Sequence, residues 1–458
     1  MKGKKVLILG AGVSGVAAAR LAAKEGAKVT LLDTGHPSEA SLKQLADDGI
    51  GYLLGEDALN WKGDCDEVIY SPGIPLGSPL DELATRTGAR KSSELAFGSY
   101  FLEGPKKIAV TGTNGKTTTV EMLEHCLKGA GHDAIAAGNI GLPISELARQ
   151  GLLPEFVVVE VSSFQLEHVD GFAPDAAVIL NITPDHLVRH GTMEAYTDLK
   201  LSLFHASTTN CVINASLLQI KAVANALQNR PYTVFTTVPG ADSDFGILDG
   251  WLVRRSENGE TSRLVSIQEL PFSGEHNMEN ALAALAVGAA AGVSPEELAP
   301  HLRSFHTGKH RLECVLEWNG VSFVDDSKAT NVDALIKALD ALAPQGRDIA
   351  LIAGGVDKKC SLDECLPKLK EYVKSVYLIG ECRGRLHESW GRVTKAQECG
   401  TMRDAVFGAA ESLRENGGIV LLSPACASQD MFRDYAQRGE AFAEAAREYA
   451  KKHEDWNA

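Results

Sequence analysis

The sequence predicts an α/β protein of three domains, each built on a parallel sheet. Two observations lead to this prediction. Short apolar runs typical of buried strands recur along the chain, and most end in a polar or glycine-containing turn followed by a helical segment. The chain also has 458 residues, which is too long for a single hydrophobic core. We therefore expect several cores and several sites at strand ends.

Composition and charge exclude some classes of function. Hydrophobic residues make up 44% of the chain and charged residues 23%, as in ordinary globular proteins. The 45 basic and 60 acidic residues give a net charge of −15, which argues against general nucleic-acid binding. Nine scattered cysteines without a CxxC pair predict reduced thiols. No apolar stretch is long enough to span a bilayer. We expect a cytoplasmic monomer without membrane or nucleic-acid partners.

The first domain, residues 1–94, begins with a strand, a glycine-rich turn and a helix. The strand Lys5 to Leu9 leads into Gly10-Ala-Gly-Val-Ser-Gly15, and a second strand ends in Asp33. This is the G-x-G-x-x-G arrangement, which places a diphosphate at a helix N-terminus and an acid near a hydroxyl. The domain is therefore predicted to be Rossmann-like. A nicotinamide cofactor and a nucleotide-sugar satisfy the pattern equally well. The turn Ser71-Pro-Gly73 ends another strand at the same edge.

The central domain, residues 95–304, contains a phosphate-binding loop. The strand Ile108 to Val110 precedes Thr111-Gly-Thr-Asn-Gly-Lys-Thr-Thr118, and a helix follows. Loop amides and the helix N-terminus suit a polyphosphate, Lys116 suits its outer phosphates, and the Thr117 hydroxyl suits Mg²⁺. Val110 stands where the full P-loop pattern has glycine. The alternative is a glycine-threonine turn with a chance lysine.

Two further strand ends of this domain carry polar side chains. The buried run Phe156 to Val159 ends in Glu160, which is well placed to hold Mg²⁺ beside a phosphate loop. The alternative is a rim glutamate hydrogen-bonded to the serine amides that follow. The next strand leads to His186, a candidate ligand in the same crevice.

A lysine on an apolar helix face is the least expected feature of the central domain. The helix is predicted from Met193 to about Ala206, with Thr192 as N-cap, and Lys200 shares the face of Tyr196 and Phe204. Such a lysine needs an anionic partner, a path to solvent or a chemical modification. The sequence alone favours the path to solvent.

The end of the central domain combines hairpins with a helix. Asp249-Gly250 and Asn258-Gly259 predict a small β-meander. Asn277 and Asn280 share a face of the alanine-rich helix that follows. They suit an adenine edge or simple helix capping, and both interpretations stay open.

The last domain, residues 305–458, repeats the strand-then-turn pattern and is also predicted to be Rossmann-like. Its strands are predicted at 321–324, 349–353, 376–379 and 419–422. The motif Asp326-Ser-Lys-Ala-Thr-Asn331 is too polar for a core. Asp326 could bind a ribose, and Lys328 and Thr330 a carboxylated substrate. Cys426, in a turn after a strand, is predicted to be a buried thiol because no histidine-and-acid pattern accompanies it.

These motifs resemble the Mur ligase family. The loop at 111–118 is similar to that of Mur ligases and their folylpolyglutamate synthetase relatives. The motif at 326–331 and Ser423-Pro-Ala-Cys-Ala-Ser-Gln-Asp430 narrow the resemblance to members that add D-glutamate to UDP-N-acetylmuramoyl-L-alanine. Matching segments run in order from residue 5 to about 450. Val188, Gln429 and Tyr435 depart from the pattern, and the last two put the shape of the D-glutamate pocket in doubt.

The resemblance implies a set of site residues. ATP is expected to contact Gly112, Thr113, Asn114, Gly115, Lys116, Thr117, Thr118, Asn277, Asn280, Arg311 and Asp326. The UDP-substrate is expected to contact Gly12, Val13, Ser14, Asp33, Thr34, Ser71, Pro72, Gly73, Asn139 and His186. D-glutamate is expected to contact Lys328, Thr330, Lys358, Ser428 and Tyr435. Two Mg²⁺ sites are implied at Thr117, Glu160, His186 and Lys200, with Lys200 carboxylated at N6. The implied catalytic residues are Lys116, Glu160, His186 and Lys200.

The implied reaction is ATP-dependent amide-bond formation through an acyl-phosphate in cytoplasmic peptidoglycan precursor synthesis. Two rivals remain at this point. A dinucleotide-dependent oxidoreductase is supported by the first glycine-rich turn but leaves the phosphate loop, Glu160 and Lys200 unexplained. A non-catalytic ATP-binding switch needs only the loop and the Mg²⁺ ligands, and it leaves the motif at 326–331 without a task.

Overall fold

The computed structural model describes residues 1–256, 258–306, 308–356 and 361–453. Over these residues the chain has three sheets, dominated by parallel pairing, as the sequence predicts. The residues form two compact units. Unit 1 holds the first two sheets and consists of Met1–Ile182, Gly191–Pro271 and Asn277–Phe305. Unit 2 holds the third sheet and consists of Thr183–His190, Phe272–His276 and the chain from His306 onward. No described helix combines the length and apolar character needed to cross a membrane.

The first sheet is formed by residues 5–93. Its elements are β1 (Lys5–Leu9), α1 (Val13–Lys24), β2 (Lys28–Asp33), α2 (Glu39–Asp47), β3 (Gly51–Leu54), α3 (Gly55–Leu59), β4 (Glu67–Tyr70), α4 (Pro79–Arg86) and β5 (Arg90–Ser93). All pairs are parallel, in the order β3-β2-β1-β4-β5. The chain therefore reverses its direction of winding between β1 and β4. Ligands of such sheets bind outside the carboxyl ends of the strands at this point.

The second sheet and its helices come from the middle of the chain. The elements are α5 (Glu94–Phe101), β6 (Lys106–Thr111), α6 (Lys116–Gly129), β7 (Ala134–Gly138), α7 (Ile144–Gln150), β8 (Phe156–Glu160), β9 (Ala176–Ile179), α8 (Leu187–His190, in unit 2), α9 (Met193–Leu201), β10 (Asn210–Asn214), α10 (Lys221–Leu227), β11 (Tyr232–Phe235), β12 (Phe245–Leu248), β13 (Trp251–Arg255), β14 (Thr261–Ser266), α11 (Glu275–Ala290) and α12 (Pro295–Leu298). The nine strands are ordered β14-β13-β12-β11-β10-β9-β6-β8-β7. The predicted meander is confirmed as the antiparallel strands β12 to β14, which extend one edge of the sheet.

The third sheet belongs to unit 2. Its elements are β15 (Glu313–Trp318), β16 (Val321–Asp325), α13 (Val332–Leu342), β17 (Ile349–Gly354), α14 (Leu366–Tyr372), β18 (Val373–Ile379), α15 (Arg383–Trp390), β19 (Lys395–Glu398), α16 (Met402–Ser412), β20 (Gly418–Leu422) and α17 (Tyr435–Lys452). The order is β15-β16-β20-β17-β18-β19, and all pairs except β15 with β16 are parallel. The four predicted strands are confirmed as β16, β17, β18 and β20, whereas β15 and β19 were not predicted.

The helix α9 of the middle segment tests the sequence pattern closely. The predicted N-cap of α9 is confirmed, since the Thr192 hydroxyl accepts a hydrogen bond from the Ala195 amide at 3.1 Å. The predicted end near Ala206 is wrong: the α-helix ends at Leu201 and a 3-10 turn continues to Phe204. The apolar periodicity continues through that turn, which explains the overestimate.

Candidate functional site

The phosphate loop connects β6 to α6, and glycine is required at two of its positions. Gly115 is the N-cap of α6 with φ +86°, a left-handed conformation that glycine adopts without strain. A Cβ at Gly112 would lie 2.9 Å from the Leu180 Cβ, and one at Gly115 would lie 2.4 Å from the Asn280 Oδ1. The Lys116 ammonium donates to the carbonyls of Gly112, at 3.0 Å, and Thr113, at 2.8 Å. The loop carbonyls thus hold the Lys116 ammonium at the start of α6, and helix N-termini are places where anions bind.

A side chain from the turn after β9 holds the loop in place. The Asn181 Oδ1 accepts from the Asn114 amide at 2.8 Å, and the Asn181 Nδ2 donates to the Asn114 carbonyl at 3.1 Å. The Thr113 amide donates to the Asn181 carbonyl at 3.0 Å. Asn181 is not among the site residues that the sequence patterns predict. Its position at a strand end beside a phosphate loop was the signal that could have identified it.

The two asparagines of α11 are buried in different turns of the helix. Asn277 and Asn280 are 8% and 6% exposed, and α11 begins at Glu275. Helix capping does not explain Asn280, which lies in the second turn, whereas for Asn277, in the first turn, both interpretations stay open. The Asn280 Oδ1 accepts from the Thr119 hydroxyl at 3.3 Å, which places Asn280 against the first turn after the phosphate loop.

Glu160 ends β8 as a buried carboxylate with one oxygen left without a partner. Its Oε1 accepts from the Asn139 Nδ2 at 2.7 Å, and the Asn139 amide donates to the Glu160 carbonyl at 2.9 Å. The Oε2 is buried without a hydrogen-bond partner among the described residues. The Ser162 amide donates to Gln165 instead, so the alternative of a glutamate held by that serine is wrong. A buried carboxylate oxygen without a donor fits a divalent cation.

Lys200 is fully buried in α9, which corrects the expectation of a path to solvent. Its side chain is 1% exposed, and its ammonium lies 4.5 Å from the centroid of the Tyr196 ring. The Tyr196 hydroxyl is 3.2 Å from the Thr113 Oγ1 of the phosphate loop. The helix thus brings Lys200 near the loop through Tyr196. A buried lysine is costly unless an anion pairs with it or a modification removes its charge.

His186 lies in the segment Thr183–His190 of unit 2. Its φ of +54° is left-handed, an uncommon conformation that clusters at functional sites. The preceding residue, Asp185, accepts the His186 amide at 2.8 Å and the Asn331 Nδ2 at 3.2 Å. The grouping of His186 with Glu160 and Lys200 around a second Mg²⁺ stays a prediction.

In the first sheet, the residues predicted to contact the UDP-substrate lie at the carboxyl ends of three neighbouring strands. They follow or end β1, β2 and β4 and are Gly12, Val13, Ser14, Asp33, Thr34, Ser71, Pro72 and Gly73. A Cβ at Gly15 would lie 1.8 Å from the Gly10 carbonyl oxygen, which accounts for that glycine. Both Asp33 oxygens accept backbone amides at 2.6 Å, from Ala11 and Gly35. Asp33 therefore shapes the turn.

In unit 2, the polar motif after β16 is buried and hydrogen-bonded. The Asp326 Oδ2 accepts from the Ser423 hydroxyl at 2.8 Å. Burial raises the pKa of Asp326 to about 7, against the opposing effects of the Ser423 hydrogen bond and the Arg311 charge. The Lys328 ammonium lies 5.1 Å from the centroid of the Tyr435 ring. Thr330 is half-buried and Ser428 is buried, and Lys358 lies outside the described residues.

Arg438 is a buried residue of this region that the sequence analysis missed. Its guanidinium, 0% exposed, donates to the carbonyls of Cys426 at 3.0 Å, Gly354 at 3.4 Å and Ser327 at 2.8 Å. These carbonyls lie at or after the ends of β17, β20 and β16, which are neighbours in the sheet. Desolvation lowers the pKa of Arg438 to about 10, so it remains charged at neutral pH. Cys426 is buried, as predicted.

The chain matches three family models in succession. Residues 4–90 match the MurD-like N-terminal domain of Mur ligases, residues 110–288 the Mur ligase middle domain, and residues 310–426 the glutamate ligase domain of Mur ligases. Two curated relatives named UDP-N-acetylmuramoylalanine--D-glutamate ligase are similar over nearly their whole length. The protein from Pelotomaculum thermopropionicum is 40% identical over 450 residues, covering 96% of this chain and 97% of the relative. The protein from Thermoanaerobacter sp. (strain X514) is 37% identical over 456 residues, covering 98% and 99%.

Solved structures agree on the fold. The UDP-N-acetylmuramate-alanine ligase MurC from Thermotoga maritima has a TM-score of 0.58 at 18% identity, covering 99% of this chain and 100% of that chain. The MurF ligase from Thermotoga maritima, solved in complex with ADP, has a TM-score of 0.58 at 18% identity, covering 93% and 96%. The three consecutive domain matches and the full-length relatives show that the chain belongs to the Mur ligase family.

Proposed function

We propose that the protein is an ATP-dependent ligase that adds D-glutamate to UDP-N-acetylmuramoyl-L-alanine, with ADP and phosphate as the other products. The observation that carries the proposal is similarity at 37–40% identity, over nearly the whole chain, to relatives named for this reaction. The phosphate loop with the partly unpaired Glu160 carboxylate beside it supports the ATP-dependent step. The natural setting would be cytoplasmic peptidoglycan precursor synthesis by a monomer.

In the first step, the substrate's L-alanine carboxylate attacks the γ-phosphate of ATP to give an acyl-phosphate. Catalysis here depends on positioning and charge neutralisation. Lys116 leaves the loop carbonyls and neutralises the outer phosphates. Thr117 and Glu160 would hold one Mg²⁺, and Glu160, His186 and an N6-carboxylated Lys200 a second. Bound there, the cations would supply charge stabilisation to the phosphates and to the substrate carboxylate.

In the second step, the amine of D-glutamate attacks the acyl-phosphate carbonyl, and phosphate leaves. Residues of unit 2 would bind the amino acid. Lys328, Thr330 and Ser428 suit its carboxylates, as does Lys358, which lies outside the described residues, and the Tyr435 ring lies against the Lys328 ammonium. Arg311 and Asp326 would serve the nucleotide, together with Asn277 and Asn280.

The work would be divided among three domains. Residues 1–94 would bind the UDP part of the acceptor at the carboxyl ends of β1 and β4, where the first sheet reverses its direction of winding. Residues 95–304 would bind ATP, with Asn139 facing the acceptor, and residues 305–458 would supply the amino acid. The Rossmann-like turn thus serves a nucleotide-sugar rather than a nicotinamide cofactor.

Phosphate release tests the proposal directly. The protein is incubated with ATP, Mg²⁺ and UDP-N-acetylmuramoyl-L-alanine, and D-glutamate is compared with L-glutamate, glycine, L-lysine and meso-diaminopimelate. We expect release that depends on D-glutamate. Release with a different amino acid would assign the protein another ligase reaction. Release with none, despite ATP binding, would favour the non-catalytic switch.

A further inference from the structure

Glu94 is a buried glutamate at the junction between the first two sheets of unit 1. It is the first residue of α5, directly after β5, and is 1% exposed. The last residue of β5, Ser93, pairs with Tyr70 of β4. Glu94 therefore leaves the first sheet at the same edge as the turn Ser71–Gly73, where the UDP-substrate is predicted to bind.

The Glu94 side chain reaches across to the start of α7. Its Oε1 accepts from the Ser145 amide at 2.7 Å, and the Ser145 hydroxyl donates to the Glu94 carbonyl at 3.4 Å. One turn further along α5, a Cβ at Gly98 would lie 2.4 Å from the Ser145 nitrogen and 2.8 Å from the Ile144 carbonyl carbon. The backbones of the two helices are therefore in close contact at Gly98.

The helix α7 begins directly after the loop that carries Asn139. That loop is closed by a hydrogen bond from the Gly138 amide to the Leu142 carbonyl at 3.0 Å. The Asn139 side chain donates to the Glu160 Oε1 at 2.7 Å. A short and rigid path thus runs from the edge of the first sheet through Glu94 and α7 to the carboxylate beside the phosphate loop.

The contact with the Ser145 amide depends on the length of the Glu94 side chain and uses only one of its two carboxylate oxygens. Its Oε2 is buried without a hydrogen-bond partner among the described residues, and burial raises the pKa of Glu94 to about 7. A neutral side chain of the same length offers the same acceptor to the Ser145 amide. A shorter one leaves that amide without its partner.

We propose that Glu94 is a positioning residue that fixes the Asn139 loop, and through it Glu160, relative to the substrate turn of the first sheet. The inference rests on the proposed function, because it concerns how the acceptor carboxylate meets the γ-phosphate. Misplacement of reacting groups by about 1 Å can lower a rate by roughly a hundredfold, so a residue remote from the reacting atoms can control it.

The test uses three variants of the full chain. Glu94→Asp keeps the acid and shortens it, Glu94→Gln keeps the length and removes the acid, and Glu146→Gln is a control on the neighbouring helix. Glu146 pairs with Arg149 at 2.6 Å and does not contact α5 through that pair. For each variant, kcat and KM are measured for the UDP-substrate by phosphate release, and the affinity for ADP by calorimetry.

We expect Glu94→Asp to lower kcat/KM for the UDP-substrate by roughly ten- to a hundredfold, with ADP affinity unchanged. Glu94→Gln should recover most of that loss, and Glu146→Gln should match the wild type. If Glu94→Asp does not fold, Glu94→Ala carries the same expectation, with ADP binding as the check on its fold.

Three results would overturn the inference: wild-type kinetics in the shortened variant, an equal loss in Glu94→Gln, or a parallel loss of ADP affinity. The first would leave Glu94 only a structural role, the second would make its charge essential, and the third would mean general loosening. A wild type without D-glutamate-dependent release would instead remove the proposed function, and the inference with it.

Discussion

Glu160 and Asn139 show how one hydrogen bond between two side chains can orient a carboxylate for the proposed Mg²⁺. Glu160 is buried at the end of β8, where the Asn139 Nδ2 donates to one carboxylate oxygen and the other has no donor among the described residues. A hydrogen bond of this kind orients a ligand before the metal arrives. Asn139 is thus placed by prediction in two roles, one beside the proposed Mg²⁺ and one facing the UDP-substrate.

Replacing Asn139 should weaken the Mg²⁺ dependence of the reaction in a measurable way. We expect Asn139→Ala to raise the Mg²⁺ concentration for half-maximal phosphate release by roughly 10- to 100-fold. Excess Mg²⁺ should restore much of the rate. Asn210→Ala is a matched control, because the Asn210 Nδ2 only donates to the Ala290 carbonyl. An unchanged Mg²⁺ dependence with a raised KM for the UDP-substrate would limit Asn139 to substrate binding.

At the residue scale, the sequence identified the groups that stand at strand ends but not those that support them. Glu160 and the phosphate loop follow from local patterns, because a buried strand followed by a polar turn is a short-range signal. Asn181 and Arg438 depend on partners distant in sequence: Arg438 lies 111 residues from Ser327. The sequence marks Lys200 as unusual, but the predicted path to solvent is wrong. How deeply α9 is buried depends on the elements packed around it, and the local pattern does not report this.

At the scale of elements, α17 holds together the strand ends of the third sheet through Arg438. We expect Arg438→Met to lower the free energy of unfolding of unit 2 by roughly 3 kcal/mol or more, because three carbonyls lose a buried donor. Arg433→Ala is the control, since its exposed pair with Asp434 should contribute less than about 1 kcal/mol. Hydrogen exchange of β16, β17 and β20 measures the difference. Equal effects of the two substitutions would contradict this role of α17.

The junction of α5 and α7 should make the stability of unit 1 depend on pH. Burial raises the pKa of Glu94 from 4.5 to about 7, so the folded protein binds this proton more tightly than the unfolded chain does. The resulting stability is fully present below pH 4.5 and is lost as the pH rises through 7. We compare the free energy of unfolding of Glu94→Gln with that of the wild type. As the pH rises from 5 to 8, the difference in favour of Glu94→Gln should grow by roughly 2 to 3 kcal/mol.

Urea titrations at several pH values, followed by hydrogen exchange in β1 and β6, measure this gain. Glu146→Gln is the control, because the Arg149 hydrogen bond lowers the pKa of Glu146 and keeps it ionised throughout this range. A constant difference between Glu94→Gln and the wild type from pH 5 to 8 would show that Glu94 does not titrate as its burial implies.

At the scale of the whole molecule, three sheets were predictable but the two compact units were not. Each sheet follows from its own run of strand and turn patterns. The segments Thr183–His190 and Phe272–His276 are too short for a periodic signal, yet they belong to unit 2. Their assignment depends on contacts such as the bond from the Thr183 hydroxyl to the Asp333 carboxylate, 150 residues apart. Local patterns carry no information about such pairs.

The segment around Asp185 gives a test of this division. Asp185 follows β9 by a few residues, but it accepts the Asn331 side chain at 3.2 Å within unit 2. We expect Asp185→Ala in the full chain to lower the protection of β16 and α13 against hydrogen exchange by about 1 to 3 kcal/mol. The amides of β6 and β8 should change by less than about 0.5 kcal/mol, although β6 pairs with both β9 and β8 in unit 1.

Asp175→Ala is the counterpart in the same measurement. Asp175 directly precedes β9, and its carboxylate accepts the Lys107 amide at 2.8 Å within unit 1. Its loss should therefore reduce the protection of β6 against hydrogen exchange and leave that of β16 and α13 unchanged. The effect should be smaller than that of Asp185→Ala, because the Asp175 side chain is exposed. Loss of protection in β6 from Asp185→Ala, or in β16 from Asp175→Ala, would mean that the units unfold together and that their boundary has no energetic meaning. Loss of protection confined to β16 and α13 in Asp185→Ala, and to β6 in Asp175→Ala, would show that the two units unfold separately. The boundary between them would then lie within the segment of chain from Asp175 to Asp185.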